Sequence, residues 1–236
     1  MALAAAARHP HLGSRVATGR VRVDMHMHTM WSGDSQTTPE ELAGAVAETG
    51  MDVLCVTDHA SVAGAERFQA SGELGCRVIV GQEVRTEAGE IIGLWLTERI
   101  PFGLRPEEVC EAIRGQGGVV YIPHPFDELR HALRAGVLDR LLDAGLVDAL
   151  EVFNAKVRAP AANRRAAELA AARGLPGGAG SDSHEPSALG AAYVEMADFA
   201  DATSFLAALA GAEVFGHAYD VARTWRPRIV PSTATP

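Results

Sequence analysis

Two histidines separated by a single residue stand behind an aspartate in the segment VDMHMHT, as Asp24, His26 and His28. Side chains alternate along a strand, so this spacing predicts all three on one face, with Val23, Met25 and Met27 on the other. Two imidazoles and a carboxylate at a strand end form a borderline ligand set suited to a divalent ion. The placement recurs downstream. Asp58 and His59 end VTDH, Glu83 ends VGQE, and His124 follows in YIPHP. Glu151 and Asn154 bracket the end of LEVFN, and Asp182 and His184 lie in GAGSDSH. Barrels of alternating strands and helices gather their chemistry where the strands run out, so residues remote in sequence become neighbours there.

The elements that must position these groups follow from hydrophobic periodicity. Short apolar runs alternate with helical patterns, which favours parallel strands joined by helices. Strands are expected at 21–28, 53–57, 77–82, 119–122, 149–153, 178–180 and near Val214. A hairpin is expected in EVRTEAGEIIGLWL, turning at Ala88 and Gly89. The first helix has the clearest signals: Thr38 as cap, Pro39 at the first position, Glu41 completing a capping box, and Gly50 as the stop. Further helices are expected at 61–69, 106–116, 137–144, 163–173 and 201–210. Six or seven strand–helix units predict an α/β barrel-like domain over 21–222, behind a leader at 1–20 and ahead of a tail at 223–236.

Composition narrows the partners. The 236 residues are 47% hydrophobic with a net charge of −9, enough apolar surface for one folded core. The acidic balance and scattered cations predict no membrane surface and no extended nucleic-acid surface. The apolar run Ala2 to Ala7 is too short for a secretory segment, and no stretch is long enough to span a bilayer, so a cytoplasmic protein is expected. Cys55, Cys76 and Cys110 show no CxxC spacing, which argues against a disulfide framework. Lys156 is the sole lysine. The residue before it is alanine, so no phosphate-binding GK[ST] loop exists, and no GxSxG nucleophile elbow occurs.

The ordered set DxHxHT, TDH, GxE, HP, ExxN and SDxH, spread from Arg22 to His217, resembles the PHP family, named for its polymerase and histidinol phosphatase members. The resemblance implies a distorted (β/α)7 barrel of PHP type, with two or three divalent metal ions (Zn, Mn or Fe) at the C-terminal mouth. It implies that His26, His28, Glu83 and Asp182 hold one ion. Glu83 would bridge to a second ion bound also by His124, while Asp34, His59 and His184 would hold a third. One departure stands out: where many members carry a further histidine, this chain has Ile91 and Ile92, leaving the second position weak, water-filled, or completed by Glu90 or Asn154.

The activity implied is that of a metal-dependent phosphoesterase, in which clustered ions lower the pKa of a water that then attacks phosphorus. Its expected partner is a small phosphorylated metabolite, a nucleotide or a short oligonucleotide. Arg130, Arg85 and Lys156 are the candidate phosphate contacts, because each follows a motif end and can hydrogen-bond phosphate oxygens. Asp24 and Asp58 are expected to orient ligand histidines from behind. Two other classes share the ligand pattern: an amidohydrolase-like hydrolase of C–N or C–O bonds, with Lys156 as a carboxylated bridge, and a noncatalytic metal-binding module. His9, His11, His131 and His217 lack a strand-end placement and are read as structural or solvated.

Overall fold

The computed structural model describes residues 19–219; the tail at 223–236, and His9 and His11 with most of the leader, lie outside the described residues. Arg20, expected in the leader, already begins the first strand. In chain order the elements are β1 Arg20–Met27, α1 Pro39–Thr49, β2 Val53–Val56, α2 Ala63–Ser71, β3 Arg77–Thr86, β4 Gly89–Leu94, α3 Pro106–Gly115, β5 Val119–Ile122, α4 Ala135–Asp143, β6 Ala149–Asn154, α5 Pro160–Arg173, β7 Gly177–Gly180, β8 Ala192–Ala197, α6 Ala202–Leu209 and β9 Glu213–Gly216. A single 3-10 turn, Pro186–Ala188, follows β7.

The strands form one sheet in the order β7-β6-β5-β4-β3-β2-β1-β8-β9. Pairing is parallel for β1 with β2, β2 with β3, β5 with β6 and β6 with β7, whereas β4 runs antiparallel to both β3 and β5. The chain leaving β7 then returns to β1. Asp182 N–H donates to the His26 carbonyl at 2.6 Å and His28 N–H to the Ser183 carbonyl at 2.9 Å. These bonds nearly close β1 to β7 into the expected barrel of seven staves, distorted by the antiparallel β4. Strands β8 and β9 extend antiparallel from β1 as a flap. Of these, β8 (AYVEMA) lies outside the strands expected from the sequence; the 3-10 turn at Pro186–Ala188 and Gly190 at φ 72° lead into it.

Local chemistry accounts for the elements. Thr38 caps α1 with its side chain while Glu41 reciprocates, and Gly50 ends it in the left-handed region at φ 64°. Such a cap is worth about 1 kcal/mol. Apolar alternation then builds two layers. Val23, Met25, Cys55, Ile79 and Tyr121 fill the barrel interior, while Val56, Val80, Ile122 and Leu150 pack outward against Leu42, Phe68, Val109 and Leu138 of the helices. The small β7 sequence GGAG lets the barrel close. A Cβ on Gly178 would lie 2.7 Å from Met25 Sδ, and one on Gly180 would collide with the His26 side chain.

A bulge corrects the expected facing of β1. Asp24 pairs with Leu54 and Met27 with Val56, so two residues of β1, Met25 and His26, stand opposite the single Cys55. Strict alternation breaks there. Val23 and Met25 stay in the interior, whereas Met27, expected beside them, packs with the outward layer, and His26 and His28 reach the mouth.

Candidate metal centre

The mouth is assembled from strand ends. His26 and His28 leave β1, His59 follows β2, Glu83 lies in β3, His124 follows β5, and Asp182 and His184 follow β7. Asp34 comes from the loop after β1, folded back by Gly33 at φ 84°. Two of these residues sit where the backbone takes an uncommon turn, His124 at φ 29° and Asp182 at φ 50°. Positive φ at a side chain is tolerated where the surroundings hold it, commonly at functional sites.

Among the described residues three groups of ligand atoms result, each with its members within 4.8 Å of one another: His26, His28 and Asp182; His26, Glu83 and His124; and His28, Asp34, His59 and His184. All eight residues expected from the sequence therefore converge, with His26 and His28 shared between groups. Nε2 of His26 and Nε2 of His28 are 3.1 Å apart, and each lies 3.3 Å from Glu83 Oε2. His124 Nε2 is 3.1 Å from the other Glu83 oxygen. Asp34 Oδ2 sits 2.9 Å from His184 Nε2 and 3.5 Å from His59 Nε2.

This donor set fits a divalent ion. Buried imidazole nitrogens and carboxylate oxygens point at one another across 3 to 4 Å, where cations must supply the charge balance. Asp34 Oδ1 and His124 Nδ1 are moreover buried without any hydrogen-bond partner. Protons fill the balance in part. Burial disfavours a cation on His26, but Glu83, Asp182 and Glu151 outweigh it and raise its pKa well above the usual value. At His59 burial is likewise outweighed, by Glu83 and Asp34, and its pKa rises to about 9. Burial and the neighbouring His184 instead push His28 well below the ordinary range. Burial would lift Glu83 and Asp182, yet the surrounding cations hold both well below the carboxylate range.

The groups behind the ligands differ from expectation. Asp24 accepts backbone N–H groups from Ser181 at 2.9 Å, Gly190 at 3.2 Å and His26 at 3.3 Å, and touches no imidazole. It straps β1 to the chain after β7. Asp58 accepts from Thr29 N–H and Thr29 Oγ1, both at 2.6 Å, and so fixes the turn after β1 rather than a ring. The orienting role belongs to Glu151 and Ser32. Glu151 Oε1 is 3.1 Å from His26 Nδ1 and Ser32 Oγ is 3.1 Å from His28 Nδ1. Glu151 was visible as the strand-end acid of LEVFN; Ser32 carried no signal, since a serine in a loop is common.

Two of the three candidate phosphate contacts reach a proposed ligand. Arg130 Nη1 donates to Asp182 Oδ2 at 2.9 Å, and Lys156 Nζ to Asp182 Oδ1 at 2.8 Å. Arg85 is half exposed at the rim, 4.0 Å from Glu90. Glu90 itself is buried, 3.9 Å from His124 Nε2. Asn154 spends its amide on Glu151 and Asp182 and its carbonyl on the Lys156 N–H. Glu90 thus lies beside His124, where Ile91 and Ile92 offer only carbon. His131 is exposed; its backbone carbonyl accepts the Glu90 N–H at 2.7 Å, and partial burial and the charge of Arg85 lower its pKa.

No helix among the described residues is long and apolar enough to cross a membrane. A family model described as PHP domain matches residues 24–141, and one described as PHP-associated matches 160–214. An uncharacterized protein of Methanocaldococcus jannaschii is 39% identical over 146 residues, covering 57% of this chain and 82% of its own. Among solved structures, a two-domain protein of Bacteroides vulgatus containing a predicted PHP-like metal-dependent phosphoesterase superposes with a TM-score of 0.65 at 17% identity, over 90% of this chain and 70% of that one. The lesion-specific endonuclease of Pyrococcus furiosus superposes with a TM-score of 0.59 at 16% identity, over 83% of this chain and 57% of that one. At such identities these structures speak for the fold alone. The matched half of the chain, the archaeal relative of which it covers 82% and the strand-end ligand groups agree, and the chain belongs to the PHP family.

Proposed function

We propose that the chain is a phosphoric ester hydrolase that binds two or three divalent ions through His26, His28, Asp34, His59, Glu83, His124, Asp182 and His184. Its substrate is a small phosphorylated metabolite, a nucleotide or a short oligonucleotide. The single observation carrying this reading is the sharing of His26 and His28 among three adjoining ligand groups, since adjacent groups suit a cluster better than isolated structural sites. Bound ions in such a cluster supply an activated water and polarise phosphoryl oxygens.

The chain's own residues do the rest. Arg130 and Arg85 flank the mouth with guanidinium groups that suit a two-pronged hold on phosphate oxygens. Arg130 is anchored at Asp182 and at the Lys156 carbonyl, 3.1 Å away, which keeps its charge at the site before substrate arrives. Glu151 and Ser32 fix the rotation of the His26 and His28 rings, so that both Nε2 atoms face Glu83. A carboxylated Lys156, which the amidohydrolase alternative needs, would put an anion against Asp182; at 2.8 Å from that carboxylate the position favours an ammonium.

The test is turnover by metal-free protein reloaded separately with Zn²⁺, Mn²⁺ or Fe²⁺, assayed on p-nitrophenyl phosphate, bis-p-nitrophenyl phosphate, nucleotides and short oligonucleotides. Hydrolysis of at least one ester that disappears in Glu83→Ala supports the reading. Bound metal without turnover of any of them overturns it in favour of a noncatalytic module.

A further inference from the structure

Arg165 belongs to α5 and yet meets a loop of the mouth. Its guanidinium carbon lies 4.1 Å from the centre of the Phe126 ring, and Phe126 is half-buried in the loop after β5. That loop begins with His124, a proposed ligand, and continues to Arg130, which donates to Asp182. Helix α5 follows β6, so its first turns stand at the end of the barrel where the strands run out. Helical side chains lean toward the N-terminus of their helix, which carries Arg165 up to Phe126.

A surface arginine is ordinarily a solvated charge that wanders among rotamers. Arg165 departs from this in two respects. The aromatic face attracts the cation and holds its plane in one place. Among the described residues, moreover, its N–H groups meet no carboxylate and no carbonyl, so all of its donors stay open. Arg130 differs, being anchored at Asp182 and at the Lys156 carbonyl, which keeps it next to the proposed ions. Arg165 touches none of the proposed ligands. Two residues of chain separate Phe126 from His124, about 7 Å at full reach, so with both side chains added the guanidinium lies within about 15 Å of His124.

From this geometry we infer that Arg165, laid on Phe126, determines specificity: it forms a second anion subsite beside the loop after β5, which takes a second phosphate that the substrate carries away from the ester being hydrolysed. A guanidinium whose plane is already fixed offers two parallel N–H bonds to phosphate oxygens with little further ordering. The inference rests on the phosphoesterase reading above and narrows it to substrates with two phosphates. Two sources supply that chemistry, a bisphosphorylated metabolite and the backbone of a short oligonucleotide, and the test separates them.

The full chain loaded with Mn²⁺ is assayed on two pairs of esters whose members differ by one phosphate: fructose 6-phosphate against fructose 1,6-bisphosphate, and thymidine 5′-phosphate against 5′-phosphorylated dithymidylate. In the wild type the two-phosphate member of at least one pair is expected to show a KM at least tenfold below that of its partner. The sugar pair points to a metabolite and the thymidine pair to an oligonucleotide. Arg165→Gln should erase about tenfold of that ratio, the worth of a charge-assisted hydrogen bond. The change falls on KM rather than kcat, because the contact is the same in ground and transition states. Phe126→Leu, which keeps apolar bulk without the aromatic face, should erase about threefold, and Arg165→Lys, which keeps the charge without the fork, should restore part of the ratio. Equal KM values within both pairs, or a preference that survives Arg165→Gln, overturn the subsite while the hydrolase reading stands. If no ester is turned over, calorimetry with the same four compounds decides. Tighter binding of a two-phosphate member that is lost in Arg165→Gln keeps the subsite and overturns the hydrolase reading; equal binding or none overturns both.

Discussion

Glu151 Oε1 lies 3.1 Å from Nδ1 of His26, and its second oxygen accepts the His124 backbone N–H at 2.6 Å. One fully buried carboxylate thus fixes a ring on β1 and the chain bend that presents a second imidazole after β5. Glu151→Gln keeps the shape but removes the charge that strengthens the His26 lone pair. Loss of such a supporting group costs about 10–100-fold in metal affinity. Calorimetric zinc titration should show that loss at the tightest position, and an unchanged affinity would remove Glu151 from the site.

Metal uptake should release protons. His59 holds its proton up to about 9, and His26 and His124 are also raised, in each case because nearby carboxylates outweigh burial. Near neutral pH an incoming ion displaces these protons, so apparent affinity rises with pH until about 9. The metal-free fold shows the opposite trend. A raised histidine contributes stability that is complete below about 6.5 and fades as pH climbs through its folded pKa. Urea midpoints measured with EDTA should therefore fall from pH 6.5 to 8.5, and should not fall with stoichiometric Mn²⁺. Calorimetry in buffers of different ionisation enthalpy counts the protons released.

The closeness of β7 to β1 depends on Gly180. A Cβ there would collide with the His26 side chain and lie 2.9 Å from Glu151 Oε1. Both neighbours are buried and held by hydrogen bonds, so neither can yield cheaply. Gly180→Ala is expected to cost about 1–3 kcal/mol of stability, in the range of overpacked cores, and to weaken metal binding together with it. Ala179→Gly, one residue earlier and facing the apolar interior, should lower stability without that loss of affinity.

The legibility of this molecule followed the strength of local signals. The capping box at Thr38 and Glu41 and the hairpin turn at Ala88 and Gly89 were readable because each rests on neighbouring residues. Seven of the eight proposed ligands were readable because they lie at or near strand ends in a recognisable order, and Asp34, in the loop after β1, because it follows HxHT in that order. The facing of Met27 was not, since a bulge depends on how β1 pairs with β2 and leaves no trace in VDMHMHT. Nor was the pairing of Lys156 with His184, which arises only when the loops after β6 and β7 meet. Strand β8 escaped notice because its alanines and single charge resemble the flanking loops.

Glu90 lies beside His124, at a position where Ile91 and Ile92 offer no ligand atom. In the β3–β4 ladder Ile92 pairs with Glu83 and Glu90 with Arg85, so Glu90 lies one step further toward the rim than Ile92. Its Oε2 is 3.9 Å from His124 Nε2, and burial together with the Glu83 charge raises its pKa to about 7. A carboxyl poised at that value surrenders its proton readily to a divalent ion held by Glu83 and His124. Glu90→Gln preserves the packing but cannot balance that charge. The expected outcome is a loss of at least tenfold in affinity at one position, with the ion at His26, His28 and Asp182 retained, so that elemental analysis after dialysis finds one ion fewer per chain. Equal metal content in both proteins would mean that solvent, not Glu90, completes the position.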